Sequence, residues 1–386
     1  FILMKNQILI LSLFLSILFM RDEISIEIIT TNDLHGNIAP QKAWFMNPGF
    51  PPDISGGAAL LNYVKENRKE SDLEILVFDA GNFFQGHPYG MNDGGLKMIE
   101  WMNQLEYTAL VPGENDFVLG QENLNKLADK AKFPFLMTNL ICDDCKLLSD
   151  NIKPYIIKDI GDVKIGILGI VNSAIEGLVP SEKIKGIKLE NSIKSIEKGV
   201  SLLKEKKVNS IIVLTSSGVP WDRDEKYDEF EEKLENQSID PYLMDLNSIE
   251  LGRFSNGVDV IVSGGISKGY NLPWYDPYSH VYIFQNYGNG TGFGHFKIDF
   301  DSSTKIFKGY QTMVDGKVGQ TLLSDDFDSD ADEYSKIEEH NTKVIADLYK
   351  PLNLKESPLQ SINNIIQKKT NYDQWDIPQL GTDLTL

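Results

Sequence analysis

Short runs of apolar, largely β-branched residues recur along the chain, separated by stretches with the spacing of amphipathic helices. The clearest runs are Val163–Val171, Ser210–Leu214 and Val258–Val262, each typical of a strand buried on both faces. A helical stretch at Ile193–Lys206 lies between the first two. Strands that alternate with helices in this way predict an α/β fold in which helices cover the faces of a sheet.

The same alternation begins near the amino terminus. Strands and helices are predicted in turn at Ile24–Thr31, Ala58–Arg68, Leu73–Phe78, Gly95–Leu105, Tyr107–Val111 and Gln121–Ala131. Ligands of α/β sheets bind in loops beyond the carboxyl ends of the strands. The residues that directly follow each strand are therefore the first candidates for function.

Three later segments interrupt or follow the sheet. Asp222–Leu251 is acidic without a clear period and is predicted to be an insertion, and the glycine-rich Asn286–Gly294 is predicted to be a loop. Glu333–Leu348 has helical periodicity, which Pro351 ends. We expect one domain over 24–324, a linker helix within 325–350 and a polar tail over 351–386.

The first 23 residues are expected to be a targeting signal rather than part of the fold. Lys5 precedes a nearly unbroken apolar run from Ile8 to Met20, which is shorter than a transmembrane span of about 20 residues and suits a secretory signal. No small-x-small cleavage site follows the run, so a cleaved signal peptide and an uncleaved anchor both stay open. Either one directs the chain into the secretory pathway, to be secreted or held at an extracytoplasmic surface.

The balance of charges limits the classes of partner. Lys and Arg number 37 and Asp and Glu 56, which gives a formal net charge of −19. Such a surface repels phosphate backbones, so nucleic-acid binding is not expected. We expect a protein partner, which the sequence does not identify, and contact with a membrane only through an uncleaved amino-terminal segment.

Cys142 and Cys145 are the only two cysteines of the chain. Their C-x-x-C spacing supplies too few ligands for a zinc ribbon, which needs four. In an exported chain the pair is expected to form a local disulfide. Asn236 and Asn289 begin Asn-x-Ser/Thr sequons and are candidates for N-glycosylation.

The loop after the first predicted strand contains Asp33 and His35 in the run TNDLHG. A carboxylate and an imidazole two positions apart are a ligand pair used for borderline divalent cations. Alone, the pattern also fits a turn aspartate and a surface histidine.

Further blocks follow this loop in a fixed order: GGAALLNYV, FDAGNFFQG, MNQLEYTALVPGENDF, KFPFLMTNL, GDVKIGILGI, VNSIIVLTSSG and VDVIVSGGIS. Together they resemble the successive blocks of the 5'-nucleotidase and UDP-sugar hydrolase family of calcineurin-like metallophosphoesterases. The resemblance covers about residues 24–300. It implies a layered αββα-type α/β fold with mixed sheets and flanking helices, and a two-metal site that hydrolyses phosphate esters, typically nucleotides.

The resemblance also implies which positions held the metals in the family. Two dications about 3.5–4 Å apart repel each other, and an anionic bridge with neutral imidazoles must offset this repulsion. Asp33 and His35 match retained metal ligands. The other matching positions have changed: the bridging aspartate is Asn82, the second-metal asparagine is Glu114, the catalytic histidine is Asn115, the aspartate that supports it is Val118, and three ligand histidines are Ser216, Ile266 and Lys268.

These replacements remove the bridging charge, the general acid and three imidazoles, while the packing blocks are kept. Of the five histidines, only His35 lies at a ligand position; the others, outside every block, are His87, His280, His295 and His340. We therefore expect a pseudoenzyme with no intact catalytic residue, no cofactor and a binding or structural role. The alternative is a metal-dependent phosphoester hydrolase, acting on nucleotides, with a rebuilt site for one Mg²⁺, Mn²⁺ or Zn²⁺ on Asp33, His35, Glu114 and Asp116.

The family also has a second, carboxy-terminal domain that contacts the nucleotide base. This chain ends soon after the predicted linker helix. Either it is a fragment or the substrate-binding domain is absent, and both alternatives weaken an assignment as a nucleotide hydrolase.

Two geometric expectations follow from the resemblance. The first is that the changed positions converge, each just after a strand: Asp33, Asn82, Glu114, Ser216, and Ile266 or Lys268. The second concerns Asp33, which is costly to bury without a counter-charge. Either Lys268 forms an ion pair with Asp33 or Glu114 in place of the metals, or it is a solvated loop lysine.

Overall fold

A computed structural model describes residues 23–349, except 45, 46, 48, 315 and 317–320. Contacts divide the chain into two units, 1–338 and 339–386, and the fold described below is that of the first. The signal predicted over 1–23 lies outside the described residues except for its last one, and the tail predicted over 351–386 lies wholly outside them. Within the described part, no helix is both long enough and apolar enough to cross a membrane.

Strands and helices alternate along most of this chain. The strands, numbered in chain order, are β1 (Glu23–Thr31), β2 (Gln41–Lys42), β3 (Asp53–Ile54), β4 (Ile75–Asp79), β5 (Ala109–Leu110), β6 (Phe135–Leu136), β7 (Leu140–Cys142), β8 (Ile152–Lys153), β9 (Tyr155–Ile160), β10 (Val163–Ile170), β11 (Ile187–Leu189), β12 (Ser210–Thr215), β13 (Val260–Ser263), β14 (Trp274–Tyr275), β15 (Tyr282–Gln285), β16 (Gly292–Asp301), β17 (Phe307–Thr312) and β18 (Thr321–Leu322). The helices are α1 (Gly57–Glu70), α2 (Pro88–Met91), α3 (Leu96–Gln104), α4 (Gln121–Lys130), α5 (Ile175–Leu178), α6 (Ser192–Glu205), α7 (Arg223–Glu235), α8 (Ser248–Gly252) and α9 (Ala331–Tyr349), with short 3₁₀ helices at Glu114–Phe117 and Pro241–Leu243.

Two mixed sheets form the centre of the fold. The first has the order β17-β16-β1-β4-β5-β6-β8, with β18 paired to β16, and β1 runs parallel to β4 and antiparallel to β16. The second has the order β14-β15-β13-β12-β10-β9, in which β10, β12, β13 and β15 are parallel to one another. The predicted α/β fold with mixed sheets is confirmed.

The two faces of strand β12 show how the layers pack. Ile212 and Leu214 lie in the larger core, which also contains the side chains of the first sheet, whereas Ile211 and Val213 lie in a second core with helix α6. Successive side chains of a strand point to opposite faces, so this division places one sheet on one side of β12 and a helix on the other. Close contact between the sheets is seen where Phe284 of β15 and Phe296 of β16 stack with their ring centroids 3.8 Å apart.

The segment Asp222–Leu251, predicted to lack a period, contains helices α7 and α8. Helix α7 was not predicted from the sequence, because Tyr227 and Phe230 are its only buried residues. Two apolar positions among many charged ones are too few to reveal the helical period. Strands β9, β15, β16 and β17 were also not predicted, and the end of the loop predicted over Asn286–Gly294 belongs to β16 from Gly292 onward.

Candidate functional site

Five loops that follow strands β1, β4, β5, β12 and β13 meet at one edge of the two sheets. They carry Asp33, Asn82, Glu114, Ser216 and Gly265, which we call the strand-end cluster. The Nδ2 atom of Asn82 donates to Asp33 Oδ1 and to Glu114 Oε1, at 3.0 Å each, and Ser216 Oγ lies 3.5 Å from Glu114 Oε2. The predicted convergence of these four side chains is confirmed.

Asn82 is the centre of the cluster. Its amide nitrogen donates to two carboxylates, and its Oδ1 atom accepts from the backbone N–H of Asn115 at 3.0 Å. An amide carries two protons on nitrogen and an acceptor oxygen, so each of its polar atoms has a partner here. An aspartate at position 82 would instead point a third carboxylate at Asp33 and Glu114.

Asp33 is completely buried, and its hydrogen bonds come from amides. Asn32 and Asn82 donate from their side chains at 2.8 and 3.0 Å, and the backbone N–H of Gly265 lies 3.0 and 2.9 Å from the two carboxylate oxygens. Burial raises the pKa of Asp33, and these hydrogen bonds together with nearby His35 offset only part of the rise.

The two loops that carry Asp33 and Asn82 hold each other in an uncommon conformation. Asp33, His35 and Asn82 have φ values of 48°, 50° and 59°, in the left-handed region. Asp, Asn and His are the non-glycine residues that enter this region most readily. The backbone N–H of Asp33 donates to Gly81 O at 2.9 Å and that of His35 donates to Asn82 O at 2.8 Å, so each loop fixes the other.

Asp116 stabilises the 3₁₀ turn beside the cluster. Its carboxylate accepts from the backbone N–H groups of Asn82 at 2.8 Å, Phe83 at 3.0 Å and Gly113 at 2.9 Å. Both oxygens thus serve as backbone acceptors, and the role of Asp116 as a ligand of a rebuilt metal site stays a prediction. Burial raises its pKa to about 7, against the lowering effect of these hydrogen bonds.

A further buried carboxylate near the cluster, Asp79, was missed by the sequence reasoning. Asp79, at the end of β4, accepts from Thr31 Oγ1 at 2.6 Å and from the backbone N–H of Gly81 at 2.9 Å. The Tyr107 hydroxyl lies 2.8 Å from Thr31 Oγ1. Burial raises the pKa of Asp79 well above its ordinary value. The signal was in the sequence, since Asp79 also directly ends a predicted buried strand.

His87 lies beside His35, although it falls outside the sequence blocks. The backbone N–H of His87 donates to His35 O at 2.6 Å, and its own ring caps helix α2 by accepting from the backbone N–H of Tyr89. His35 Nδ1 lies 3.0 Å from the carbonyl oxygen of Gln85. Since a carbonyl oxygen only accepts, the proton of a neutral His35 ring is on Nδ1. Burial lowers the pKa of His87.

No family model matches the chain. A curated relative, 5'-nucleotidase of Homo sapiens, is 25% identical over 306 residues, which are 74% of this chain and 48% of the relative. Among solved structures, a 5'-nucleotidase precursor of Thermus thermophilus matches with a TM-score of 0.65 at 19% identity, over 86% of this chain and 60% of that one. A calcineurin-like phosphoesterase of Bacillus subtilis matches with a TM-score of 0.62 at 17% identity, over 83% of this chain and 97% of that one.

The chain is similar in sequence to 5'-nucleotidases and shares the fold of calcineurin-like phosphoesterases. It spans about half the length of the curated relatives it matches.

The residues at the strand-end cluster do not fit the two-metal centre of this family of phosphoesterases. The Asn82 amide directs its protons at Asp33 and Glu114, the two carboxylates at predicted ligand positions. Among the residues that the structure describes, no group of three or more His, Cys, Asp or Glu side chains is placed to hold a metal ion. Asn115 and Val118, predicted to stand at the positions of a catalytic histidine and its supporting aspartate, are half-buried and supply no imidazole or carboxylate.

The ion pair considered for Lys268 is contradicted by the structure. Its ammonium lies 4.4 Å from the centre of the Trp221 ring and 5.8 and 5.7 Å from those of Tyr270 and Tyr287. The residue is half-buried beside these rings, and the alternative of a solvated loop lysine stays a prediction. Both oxygens of Asp33 are already bound by amide groups, which explains why Lys268 is not needed there. Ile266 instead packs over Gly218, in the loop after β12.

The remaining candidate residues lie around the same domain. Cys142 and Cys145 form a disulfide. Asn236 and Asn289, the sequon residues, are both exposed. The backbone N–H of Asn289 donates to Asp33 O at 2.6 Å, so a glycan on Asn289 would lie beside the strand-end cluster. Glycosylation itself stays a prediction.

Proposed function

We propose that this chain is an exported, non-catalytic member of the 5'-nucleotidase family whose role is to bind another molecule or to form part of a larger structure. The observation that carries the proposal is the position of the Asn82 amide, which donates to Asp33 and Glu114 at 3.0 Å each. Two dications at this place would lack an anionic bridge, and their mutual repulsion would not be offset. The metal-dependent hydrolysis of phosphate esters is therefore not expected of this chain, and no cofactor is required.

Export is supported by features in three parts of the sequence. The apolar run Ile8–Met20 has the length of a signal segment. The Cys142–Cys145 disulfide is typical of an oxidising compartment, and Asn236 and Asn289 are exposed sequon residues. A protein partner is part of the proposal, and the net charge of −19 argues against nucleic acid.

The test combines metal content with phosphate release. The purified chain is incubated with Mn²⁺ or Zn²⁺, desalted, and analysed by mass spectrometry for bound metal, while nucleoside monophosphates serve as substrates. We expect well below one metal per chain and phosphate release equal to that of a buffer control, since metal activation supplies most of the rate in this chemistry.

Two transition-metal ions per chain would overturn the proposal. So would hydrolysis that Asp33→Ala abolishes and that His280→Ala, a change at an exposed histidine stacked on Tyr275, leaves intact. One bound Mn²⁺ or Zn²⁺ with Asp33-dependent hydrolysis would favour the alternative, a hydrolase with a rebuilt single-metal site.

A further inference from the structure

The loops after β12, β13 and β15 bring a lysine and three aromatic rings together. Lys268 Nζ lies within 6 Å of the ring centres of Trp221, Tyr270 and Tyr287, at 4.4, 5.8 and 5.7 Å. A second cation, the guanidinium of Arg223, lies 4.5 Å from the centre of the Tyr270 ring. These distances are typical of cation–π contacts, which are strongest with tryptophan. We call these five residues the Lys268–Trp221 cluster.

A buried amide fixes the loops that form this cluster. Gln285, 2% exposed at the end of β15, donates to Lys268 O at 2.9 Å and accepts from the backbone N–H of Val219 at 2.7 Å. The Tyr270 hydroxyl donates to Pro220 O, which directly precedes Trp221. These bonds hold the backbone of Lys268 close to that of Trp221, and such preorganisation favours ligand binding.

The ammonium of Lys268 has unused hydrogen-bonding capacity. It forms no ion pair and donates no hydrogen bond to another of the residues that the structure describes; its contacts there are with rings. An ammonium group has three donors, and an aromatic face does not replace a full acceptor. Trp221 is 64% exposed, so a flat apolar surface is open to solvent beside these donors. A cation with free donors next to an exposed ring is complementary to an anion that carries a ring of its own.

We propose that the Lys268–Trp221 cluster binds a small organic anion with a flat ring, namely an aromatic phosphate or carboxylate. The anionic group contacts Lys268, and the ring stacks on the exposed face of Trp221. The inference rests on the proposed non-catalytic function, because it assigns the phosphate or carboxylate to a lysine rather than to metals. A cationic ligand would be repelled by Lys268 and Arg223, which lie over the same Tyr270 ring.

Calorimetric titration of the full chain with four small probes tests the proposal. Phenyl phosphate and benzoate carry both a ring and an anionic group, whereas inorganic phosphate and phenol each carry one of the two. We expect the two aromatic anions to bind at least about tenfold more tightly than either half-probe, since a charge-assisted hydrogen bond or a ring contact is lost in each. The tighter of the two aromatic anions then shows which anionic group the site prefers.

Three variants locate the binding. Lys268→Met keeps the length of the side chain and should weaken the aromatic anions about tenfold, and Trp221→Leu should weaken them about fivefold. Lys206→Met is the matched control, because the Lys206 ammonium also lies over a ring, that of Tyr155, but outside this cluster. Its binding should equal that of the unchanged chain. Thermal unfolding of each variant checks that the fold is kept.

Absence of binding by all four probes would overturn the inference, and so would equal affinity of Lys268→Met and the unchanged chain. If inorganic phosphate were the one probe that bound tightly, and Trp221→Leu left its affinity unchanged, the proposed stacking of a ring on Trp221 would be overturned. Phenyl phosphate also separates the two proposals. Its hydrolysis would contradict the non-catalytic function, whereas an unbound and unhydrolysed probe would contradict only the site proposed here.

Discussion

Strand β1 and the loop after it carry two buried carboxylates, in two different surroundings. Glu27 is 3% exposed; it accepts from Ser71 Oγ at 2.6 Å and lies 3.0 Å from His295 Nε2. The other ring nitrogen of His295 lies 2.7 Å from the Tyr63 hydroxyl. Asp33 is also buried, but the side chains that donate hydrogen bonds to it are the amides of Asn32 and Asn82.

As a result, the pKa values of the two carboxyl groups are shifted in opposite directions. Burial raises the pKa of Glu27, but the hydrogen bonds from His295 and Ser71 and the charge of the imidazole outweigh it, and the net change is a lowering. For Asp33 burial dominates and the pKa is raised. Amides can fill every acceptor position of a carboxylate, yet they bring no opposite charge. The strand-end cluster is thus satisfied in its hydrogen bonds and poor in compensating charge.

The largest effect is expected from Asn82→Asp, which removes the amide from this cluster. Two hydrogen bonds to carboxylates are lost and a third carboxylate is buried, so we expect the free energy of unfolding to fall by about 4 kcal/mol at pH 7.5 in the presence of a chelator. Denaturation with urea measures it. The loss should be smaller at pH 5, where one of the three carboxyl groups can hold a proton.

A matched amide change separates this effect from a general cost of substitution. Asn103→Asp alters an asparagine on α3 whose side chain is bonded only to exposed backbone; it should cost no more than about 1 kcal/mol. If Asn82→Asp were as mild as this control, the amide would not be what holds the cluster together.

His295→Leu is the corresponding change at the second carboxylate. It leaves Glu27 buried without its imidazole, and we expect a loss of about 3 kcal/mol in the free energy of unfolding. The double variant Glu27→Gln with His295→Leu should lose less than the sum of the two single variants, because the unpaired charge is gone. Strict additivity would show that Glu27 and His295 are not coupled.

The pH dependence of stability should show the two regions separately. For Asp79, near the strand-end cluster, the folded pKa is raised, so its contribution is full below the unfolded value and is lost as the pH rises. The same holds for Asp116, whose folded pKa is about 7, so we expect the free energy of unfolding to fall between pH 5.5 and 7.5. For Glu27 the folded pKa is lowered, so its contribution is present above about pH 4.5 and is lost in more acidic solution.

Denaturation profiles of two variants assign these pH ranges. Asp79→Asn should make the fall between pH 5.5 and 7.5 less steep, with the part due to Asp116 kept, and should leave the acid side unchanged. Glu27→Gln should do the reverse. An unchanged slope in Asp79→Asn would show that this carboxyl group is not protonated in the folded chain near neutral pH.

The loops of the cluster were predictable because each follows a strongly apolar strand and lies in a long family block. Asp33, Asn82, Glu114 and Ser216 could therefore be placed together before any coordinates were known. The partners of each side chain could not be placed, since the direction of an amide depends on hydrogen bonds between loops far apart in sequence. Strand β16 and helix α7 were harder to predict from the sequence. In β16 the glycines Gly292 and Gly294 interrupt the apolar pattern, and in α7 only two positions are buried.

The smallest effect on the free energy of unfolding is expected from a change at Lys268. It shows whether this lysine interacts with the strand-end cluster or with the aromatic rings of the Lys268–Trp221 cluster. The sequence allowed Lys268 to be the counter-charge of Asp33, and the structure instead surrounds it with Trp221, Tyr270 and Tyr287. A half-exposed cation–π contact contributes about 0.5–1 kcal/mol, so Lys268→Met should lower the free energy of unfolding by less than about 1 kcal/mol at pH 7.5. Loss of a buried counter-charge would cost about 3–5 kcal/mol and would shrink at low pH, as Asp33 took up a proton. Urea denaturation at pH 7.5 and 5 therefore separates the two roles. We expect a small loss in the free energy of unfolding that does not depend on pH, because amides already donate to both oxygens of Asp33. A large loss that becomes smaller at pH 5 would instead show that Lys268 is the counter-charge of Asp33.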